Sequence, residues 1–285
     1  MNIHKHALLL FSKVPEPGQT KTRLTIEHNG LLTPEEAAEL YRVVLLDTAE
    51  VGMRALEQLN QVGSVSNEEG RLDHYDFVVC CTPMKNHPRM KEIFAEAGPW
   101  PLPISFIADE GANFNEHFDS AFKQLWLMGY ESAVSIGGDL PQMTINNVVQ
   151  AFHWLRHFEQ KYDGVGLVHC PCQACGVSLV GMTRATPVDF DGIFYNTSGV
   201  SALDGIINTA REKEIPVAAV ETVADIDTIE DLAHALTMAR SQEYTSRFQS
   251  GVMIPKRFLA WAEREGYQVC TPPNENHDPR KLIDA

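Results

Sequence analysis

Short apolar runs typical of buried strands recur along this chain, and longer segments with helically spaced apolar residues separate them. This alternation predicts βαβ units, which place parallel strands in one sheet and helices on its faces. We therefore expect an α/β fold, a three-layer α/β/α arrangement around a mostly parallel, Rossmann-like sheet. The predicted strands are Ala7–Phe11, Phe77–Cys81, Ile104–Ala108, Ala133–Ile136, Gly164–Val168, Val177–Met182 and Val217–Val220.

The clearest helix signal lies at Thr33, where a capping residue is followed by Pro34 and Glu36. Proline suits the first helical position, and the glutamate can reach back to the N-cap backbone. Residues 1–240 form the predicted main domain, and 241–285 an appendage packed on it, irregular at 271–276. The other predicted helices are Phe114–Leu127, Val148–Phe158, one that opens at Asp227, and a short one at Phe258–Glu265.

The composition limits the partners that this chain can have. Its 285 residues carry 38 acidic and 23 basic side chains, a net charge of -15, which argues against nucleic-acid and membrane-surface partners. No run approaches the roughly 20 apolar residues of a membrane span, and no signal-peptide pattern is present. Six cysteines in a chain of this length do not indicate a disulfide framework. We expect a cytoplasmic protein.

A cationic loop, residues 12–24, follows the first predicted strand. Pro15 and Pro17 keep it out of a helix, and Gly18 permits a tight turn or a close backbone approach. In open α/β sheets, ligands bind at the carboxyl ends of the strands. The loop therefore predicts an anion site, most simply for a phosphate, although it matches neither the P-loop nor the dinucleotide glycine pattern. Its cations are Lys13, Lys21 and Arg23.

Acidic residues form two further motifs. The strand at 133–136 ends in Gly137, Gly138 and Asp139, which would place a carboxylate at the same sheet edge. Such a hard oxygen ligand suits Mg²⁺ or Mn²⁺, whereas the alternative is an ordinary turn with Asp139 capping a helix. Asp225 and Asp227 alternate on an extended segment, so that one can contribute to the metal. For Asp227 we favour helix capping.

These motifs, in this order, resemble those of bacterial nucleotide-diphospho-sugar transferases with the GT-A fold. These proteins are often found near selenium or radical-SAM proteins and are related to molybdenum-cofactor guanylyltransferases. The resemblance covers about residues 7–236 and is most specific in the cationic loop. It implies a metal-dependent transferase, most simply a glycosyltransferase, that uses Mg²⁺ or Mn²⁺, a nucleotide or nucleotide-sugar donor and an unidentified acceptor.

The resemblance also implies roles for particular residues. Catalysis would fall to Asp139, Lys21 and Arg23, with the two cations stabilising the leaving diphosphate. Metal ligands would be Asp139 together with Asp225 or Asp227. The implied nucleotide-binding residues are Phe11, Ser12, Lys13, Gly18, Lys21, Thr22, Arg23 and Gly138.

The chain departs from the family pattern at three positions. Ala174 and Cys175 stand where the family commonly has aspartate and glycine, and Tyr195 stands where it usually has tryptophan. No general base is therefore assigned. Two alternatives stay open beside glycosyl transfer: nucleotidyl transfer from a nucleoside triphosphate, and a non-catalytic nucleotide- or metal-binding regulator. The segment after Ser241 is equally consistent with a lid and with a homodimer contact.

The same departure creates a run of soft ligands, which comprises His169, Cys170, Cys172 and Cys175. Thiolates favour zinc or iron–sulfur binding. The usual structural-zinc pattern, however, pairs two short elements from separated segments. The alternatives are thiols without a ligand role and a redox-sensitive thiol pair.

Overall fold

The computed structural model describes residues 2–63, 71–82 and 86–270. Their strands form one seven-stranded sheet in the order β3-β2-β1-β4-β6-β5-β7. The strands are β1 Asn2–Lys13, β2 Arg71–Thr82, β3 Ile104–Ala108, β4 Ser132–Ile136, β5 Leu167–Pro171, β6 Val177–Thr183 and β7 Val217–Ala219. Only β6 runs antiparallel to its neighbours β4 and β5, and the other pairs are parallel. The mostly parallel sheet is confirmed.

Helices cover both faces of this sheet. Their bounds are α1 Pro34–Gly63, α2 His87–Ala97, α3 Phe114–Leu127, α4 Ile145–Lys161, α5 Ala202–Glu212, α6 Ile229–Thr245 and α7 Lys256–Arg264. Alternate residues of β1 enter opposite cores: Leu8 and Leu10 pack with α1, α2 and α4, whereas Ala7 and Leu9 pack with α3 and α5. The three-layer arrangement is therefore confirmed. In the described ranges, no helix is long and apolar enough for a transmembrane span.

The outer face of α1 carries a third apolar cluster. Phe258 and Trp261 of α7 are buried there together with Leu40 of α1 and Leu236 of α6. Because α6 runs past residue 240, no element ends at the predicted domain boundary. The division into a main domain and an appendage stays a prediction, and the expected irregular segment at 271–276 lies outside the described residues.

Several element bounds differ from the sequence-based ones. β5 begins three residues later than expected, because Asp163 and Gly164 adopt left-handed conformations in the turn after α4. β1 and β2 extend through polar residues at their amino ends. There His6 is buried and hydrogen-bonds Ser132 and Asp73 through its two ring nitrogens. Apolar patterning misses such residues, because hydrogen bonds rather than hydrophobicity keep them in the sheet.

The helix signal at Thr33 is confirmed in detail. The Thr33 backbone N–H donates to the Glu36 carboxylate at 2.7 Å, and the Glu36 N–H donates to the Thr33 hydroxyl at 3.1 Å. Asn113 caps α3 by accepting a hydrogen bond from the Glu116 N–H. These caps fix the starts of α1 and α3.

Candidate functional site

A cavity of about 400 Å³ opens at the carboxyl edge of the central strands. The ends of β1 and β4, the first half of β6, the cationic loop and α3 surround it. Gly18 is not among the lining residues; its φ of 71° and the open space around it assign it to a turn in the loop. Of the predicted site residues, the structure places in the cavity wall Phe11, Ser12, Lys13, Lys21, Thr22, Arg23, Gly138, Asp139 and Asp227.

Three carboxylates converge beside this cavity, and two of them, Asp139 and Asp227, belong to its wall, whereas Asp225 does not line it. Asp139 follows β4, and Asp225 and Asp227 lie between β7 and α6; one oxygen from each lies within 4.8 Å of the others. The N-caps of α4 and α6 are Thr144 and Thr228, so neither Asp139 nor Asp227 caps a helix. The expectation that Asp227 caps α6 is therefore wrong. Thr228 has the hydroxyl that the cap needs, which leaves the Asp227 carboxylate free to face the cationic loop.

Lys21 connects this carboxylate group to the loop. Its Nζ lies 2.5 Å from Asp139 Oδ2 and 3.2 Å from Asp227 Oδ1, and Arg23 Nη1 lies 2.9 Å from Asp227 Oδ2. Burial lowers the pKa of Lys21, but the charges and hydrogen bonds of Asp139 and Asp227 outweigh this effect and raise it overall. The lysine therefore carries its positive charge between the acids, and both cations face carboxylates as well as the cavity.

Asp225 lies in an unfavourable electrostatic position for a carboxylate. Burial and the negative charges of Asp139 and Asp227 raise its pKa to about 6, and Lys21 offsets this only in part. Three converging carboxylates, whose repulsion one ammonium does not fully neutralise, fit a divalent cation with oxygen preference. The donor set thus suits the Mg²⁺ or Mn²⁺ ion that the sequence predicts.

The raised pKa of Asp225 predicts a pH-dependent stability. The folded state binds this proton more tightly than the unfolded chain, so the associated stability is present below about pH 4 and is lost as the pH rises through about 6. Asp225→Asn, which is neutral throughout, should exceed the wild type in free energy of unfolding by about 1 kcal/mol at about pH 8 and match it near pH 4. Urea denaturation in EDTA measures this difference. An equal difference at both pH values, or the same behaviour in the exposed control Asp191→Asn, would contradict the assignment.

Gly138 permits close contact between β4 and α1. A Cβ on this residue would lie 2.4 Å from Leu45 Cδ1 and 2.8 Å from Tyr41 Oη. The Tyr41 hydroxyl in turn accepts a hydrogen bond from the Lys13 N–H at 3.3 Å. A larger residue at position 138 would require the Leu45 and Tyr41 side chains to move. Packing therefore accounts for Gly138, and its predicted nucleotide contact stays a prediction.

Gln173, which the sequence reasoning did not select, holds the segment that carries Asp225. Its Nε2 donates to the Asp225 carbonyl at 2.7 Å, and its Oε1 accepts from the Asp225 N–H at 3.2 Å. The turn around it places Ala174 and Cys175 in left-handed conformations, with φ of 54° and 61°. A long-range side-chain clamp of this kind has no local sequence signal, because its partner lies 52 residues away.

The soft-ligand hypothesis receives no support from this geometry. Cys170 is buried and its thiol donates to the Glu221 carbonyl at 2.9 Å, whereas Cys175 is exposed. Burial and the nearby Asp225 raise the pKa of Cys172 to about 11. Among the residues that the structure describes, no group of three converging ligands includes a cysteine. A redox-sensitive pair stays a prediction.

Cys175→Gly should stabilise the protein by about 0.5–1 kcal/mol. A left-handed conformation is unfavourable for a residue with a Cβ, and glycine removes that penalty. Urea unfolding provides the measurement. Ala95→Gly, at an exposed position inside α2, is the matched control and should destabilise the protein by a similar amount. Destabilisation by Cys175→Gly would show that the Cys175 side chain makes a contact whose stabilising effect exceeds the cost of the left-handed backbone conformation.

Aromatic residues of α3 and of the segment after β6 form another part of the cavity wall. Phe114 contacts Phe11 and Phe194 edge-on, with ring centroids 5.6 and 5.1 Å apart. Tyr195, 82% exposed with a φ of 51°, packs edge-on against Phe114 at 5.2 Å. Phe114 and Phe194 were not predicted as site residues; amphipathic spacing marks Phe114 equally well as a core residue.

The fold and site define a Rossmann-like α/β protein with an acidic cluster at the carboxyl edge of its sheet, and comparison with a solved structure agrees on the fold. Residues 67–197 match the sequence profile of a family described as an uncharacterized protein conserved in bacteria, DUF2064. This match covers less than half of the chain. Among proteins with curated descriptions, none is significantly similar.

Two solved structures are among those similar to this chain. A "putative nucleotide-diphospho-sugar transferase" from Desulfovibrio desulfuricans G20 is 23% identical, with a TM-score of 0.65 over 92% of this chain and 95% of that one. A cytidylyltransferase from Leptospira borgpetersenii is 13% identical, with a TM-score of 0.45 over 94% and 100% of the two chains. The first likeness confirms the α/β fold. The narrower relation to selenium- and radical-SAM-associated proteins and to molybdenum-cofactor guanylyltransferases stays a prediction.

Proposed function

We propose that this protein is a metal-dependent transferase that acts on a nucleotide-activated donor, most simply a nucleotide sugar. The observation that carries the proposal is the convergence of Asp139, Asp225 and Asp227 beside a cavity whose wall contains Asp139, Asp227, Lys21 and Arg23. The acidic residues can hold a divalent metal ion, and the Lys21 and Arg23 side chains face the same cavity. Together these positive charges suit a diphosphate better than any uncharged ligand. The resemblance of the sequence motifs to nucleotide-diphospho-sugar transferases points the same way.

In this proposal Asp139, with Asp225 or Asp227, holds Mg²⁺ or Mn²⁺, which when bound neutralises charge on the diphosphate. Lys21 exchanges its carboxylate partners for phosphate oxygens when the donor enters, and Arg23, 67% exposed, follows from the loop. Both cations then stabilise the negative charge that develops as the diphosphate leaves. Ala174 supplies no acid–base group, so proton transfer from the acceptor is assigned to no residue.

A thermal-shift screen of nucleotides and nucleotide sugars, with and without Mn²⁺, tests the proposal. Ligand at about 100 times its Kd adds about 2.7 kcal/mol to the free energy of unfolding, enough for a shift of a few degrees. A Mn²⁺-dependent shift with a nucleotide sugar is expected. No shift with any nucleotide would refute the proposal.

Product analysis on the best ligand then separates the two transfer reactions. Release of nucleoside diphosphate from a nucleotide sugar supports glycosyl transfer. Release of diphosphate from a nucleoside triphosphate would instead assign nucleotidyl transfer. Binding without turnover of any donor, in the presence of Mn²⁺ and a range of hydroxyl and phosphate acceptors, would favour the non-catalytic regulator.

A further inference from the structure

A buried carboxylate lies directly behind the cavity wall. Asp109 follows β3, its side chain is only 1% exposed, and neither of its oxygens has a hydrogen-bond partner of good geometry among the described residues. Burial raises its pKa, and the nearby His117 and the Thr82 hydroxyl lower it only in part. A buried carboxylate without well-formed hydrogen bonds is strongly unfavourable, so we expect Asp109 to have a specific role in the protein.

His117 faces this carboxylate from the first turns of α3. Its Nδ1 lies 3.5 Å from Asp109 Oδ2 and has no hydrogen-bond partner of good geometry in the part of the chain that the structure describes. The His117 side chain is 27% exposed and lines the cavity, as do Phe114 and Phe118, which share its face of α3 at helical spacing. The end of β3 and the helix α3 together hold the His117 imidazole between the buried Asp109 carboxylate and the cavity.

This arrangement selects one tautomer of His117. A carboxylate can only accept a hydrogen bond, so it favours the proton on Nδ1. The two ring nitrogens lie on opposite edges of the imidazole, so Nε2 is left on the cavity side as a hydrogen-bond acceptor. A ligand group that meets Nε2 of the neutral imidazole therefore donates an O–H or N–H, which the oxygens of an ionised diphosphate cannot do.

The position of His117 in the sheet indicates which part of a donor reaches it. The acidic cluster follows β4, and Asp109 follows β3, three strands away in the order β4-β1-β2-β3. Neighbouring strands lie about 4.8 Å apart, which separates the two strand ends by about 14 Å. A diphosphate held at the acids does not extend that far alone, whereas a nucleoside attached to it does. The Phe11, Phe114 and Phe118 rings wall this end of the cavity and suit the flat faces of a base.

We propose that His117, oriented by Asp109, accepts a hydrogen bond from the nucleoside part of the donor, through a ribose hydroxyl or a base N–H. This inference rests on the proposed function and adds to it a specificity-determining residue and a positioning residue. It separates the cavity into a phosphate end, with the acids and Lys21, and a nucleoside end, with His117 and the aromatic wall.

The difference in affinity between a nucleoside diphosphate and pyrophosphate, both with Mn²⁺, tests the role of His117. The ligands are pyrophosphate, the tightest binder among UDP, GDP, CDP and ADP, and its 2′-deoxy form, measured by isothermal titration calorimetry. His117→Leu should weaken nucleoside diphosphate binding by about 3- to 10-fold, the effect of one hydrogen bond, and leave pyrophosphate binding unchanged. His153→Leu, exposed on α4, is the matched control and should change neither affinity.

Each outcome decides a separate point. If His117→Leu and the wild type bind the 2′-deoxy ligand with equal affinity, the hydrogen-bond donor to His117 is the ribose 2′-hydroxyl. If the variant binds the 2′-deoxy ligand as much more weakly than the wild type as it does the ribose form, the hydrogen-bond donor is another ribose hydroxyl or the base. Equal losses for pyrophosphate and the nucleoside diphosphate, or no loss for either, would overturn the inference while the proposed function stands. Failure of the wild type to bind any of these ligands would refute the proposed function and this inference together.

Nitrogen-15 NMR of the imidazole tests the positioning role of Asp109. The wild type should show His117 protonated on Nδ1 in its neutral form. Asp109→Asn replaces one acceptor oxygen with an amide donor, which should move the proton to Nε2 and weaken nucleoside diphosphate binding as His117→Leu does. A neutral wild-type imidazole protonated on Nε2 would overturn the positioning role, and this result does not depend on whether the Asp109→Asn variant folds.

Discussion

Asp139→Asn should weaken Mn²⁺-dependent binding of nucleoside diphosphates by about 100-fold or more, because it removes one charged ligand from the acidic cluster. The amide keeps the size of the side chain, so the change isolates charge and metal affinity. It also removes the negative charge closest to Lys21, whose Nζ lies 2.5 Å from Asp139 Oδ2. Isothermal titration calorimetry with and without Mn²⁺ measures the effect.

Asp163→Asn is the matched control for this variant. Asp163 is exposed, lies in the turn after α4 and has a left-handed φ of 52°, a conformation that asparagine also tolerates. The control should bind the nucleotide as the wild type does. Retention of Mn²⁺-dependent affinity by Asp139→Asn would move the metal away from the acidic cluster and contradict the proposed site.

Lys21→Met should lower the free energy of unfolding by about 2–3 kcal/mol in EDTA, because it leaves three carboxylates without their buried counter-charge. The Lys21 side chain is 8% exposed, and it pairs with Asp139 and Asp227, which are 24% and 44% exposed. The exposure of the acids keeps the effect below that of a fully buried pair. The same variant should gain more stability from Mn²⁺ than the wild type does, since the ion replaces the missing ammonium charge.

Urea denaturation in EDTA and in Mn²⁺ measures both effects. Lys123→Met, exposed on α3, serves as the control and should change neither value appreciably. Equal Mn²⁺ stabilisation of Lys21→Met and the wild type would show that lysine and metal do not share the carboxylates. The exchange of partners proposed for Lys21 would then be wrong.

The layered fold was predictable because each strand and most helices are marked by local patterns. Apolar runs identify β3 at its observed bounds, and the capping pair Thr33 and Glu36 identifies the start of α1. The reversed direction of β6 was not predictable, since an apolar run reads alike in both directions. The polar amino ends of β1 and β2 were missed because their burial depends on partners such as Asp73, far away in the sequence.

The acidic cluster was predictable as a set because parallel strands bring their carboxyl ends to one edge. Asp139, Asp225 and Asp227 converge there as expected from their places after strands. The partners of Lys21 were not predictable. A cationic loop indicates a bound anion, but its sequence does not show that carboxylates from distant parts of the same chain, Asp139 and Asp227, pair with it. Gln173 and the pair of Asp109 and His117 act through contacts that no spacing rule describes.

A crystal structure with Mn²⁺ and the tightest-binding nucleoside diphosphate, with the ion located by its anomalous signal, tests the central claim most directly. The account predicts one Mn²⁺ peak bound by Asp139 and by Asp225 or Asp227, in contact with the diphosphate, and Lys21 moved to phosphate oxygens. The structure offers a second group of converging ligands, His4, Glu131 and Glu159, near the amino ends of β1 and β4. A Mn²⁺ peak there with none at Asp139, or a nucleotide bound outside the cavity, would contradict the account.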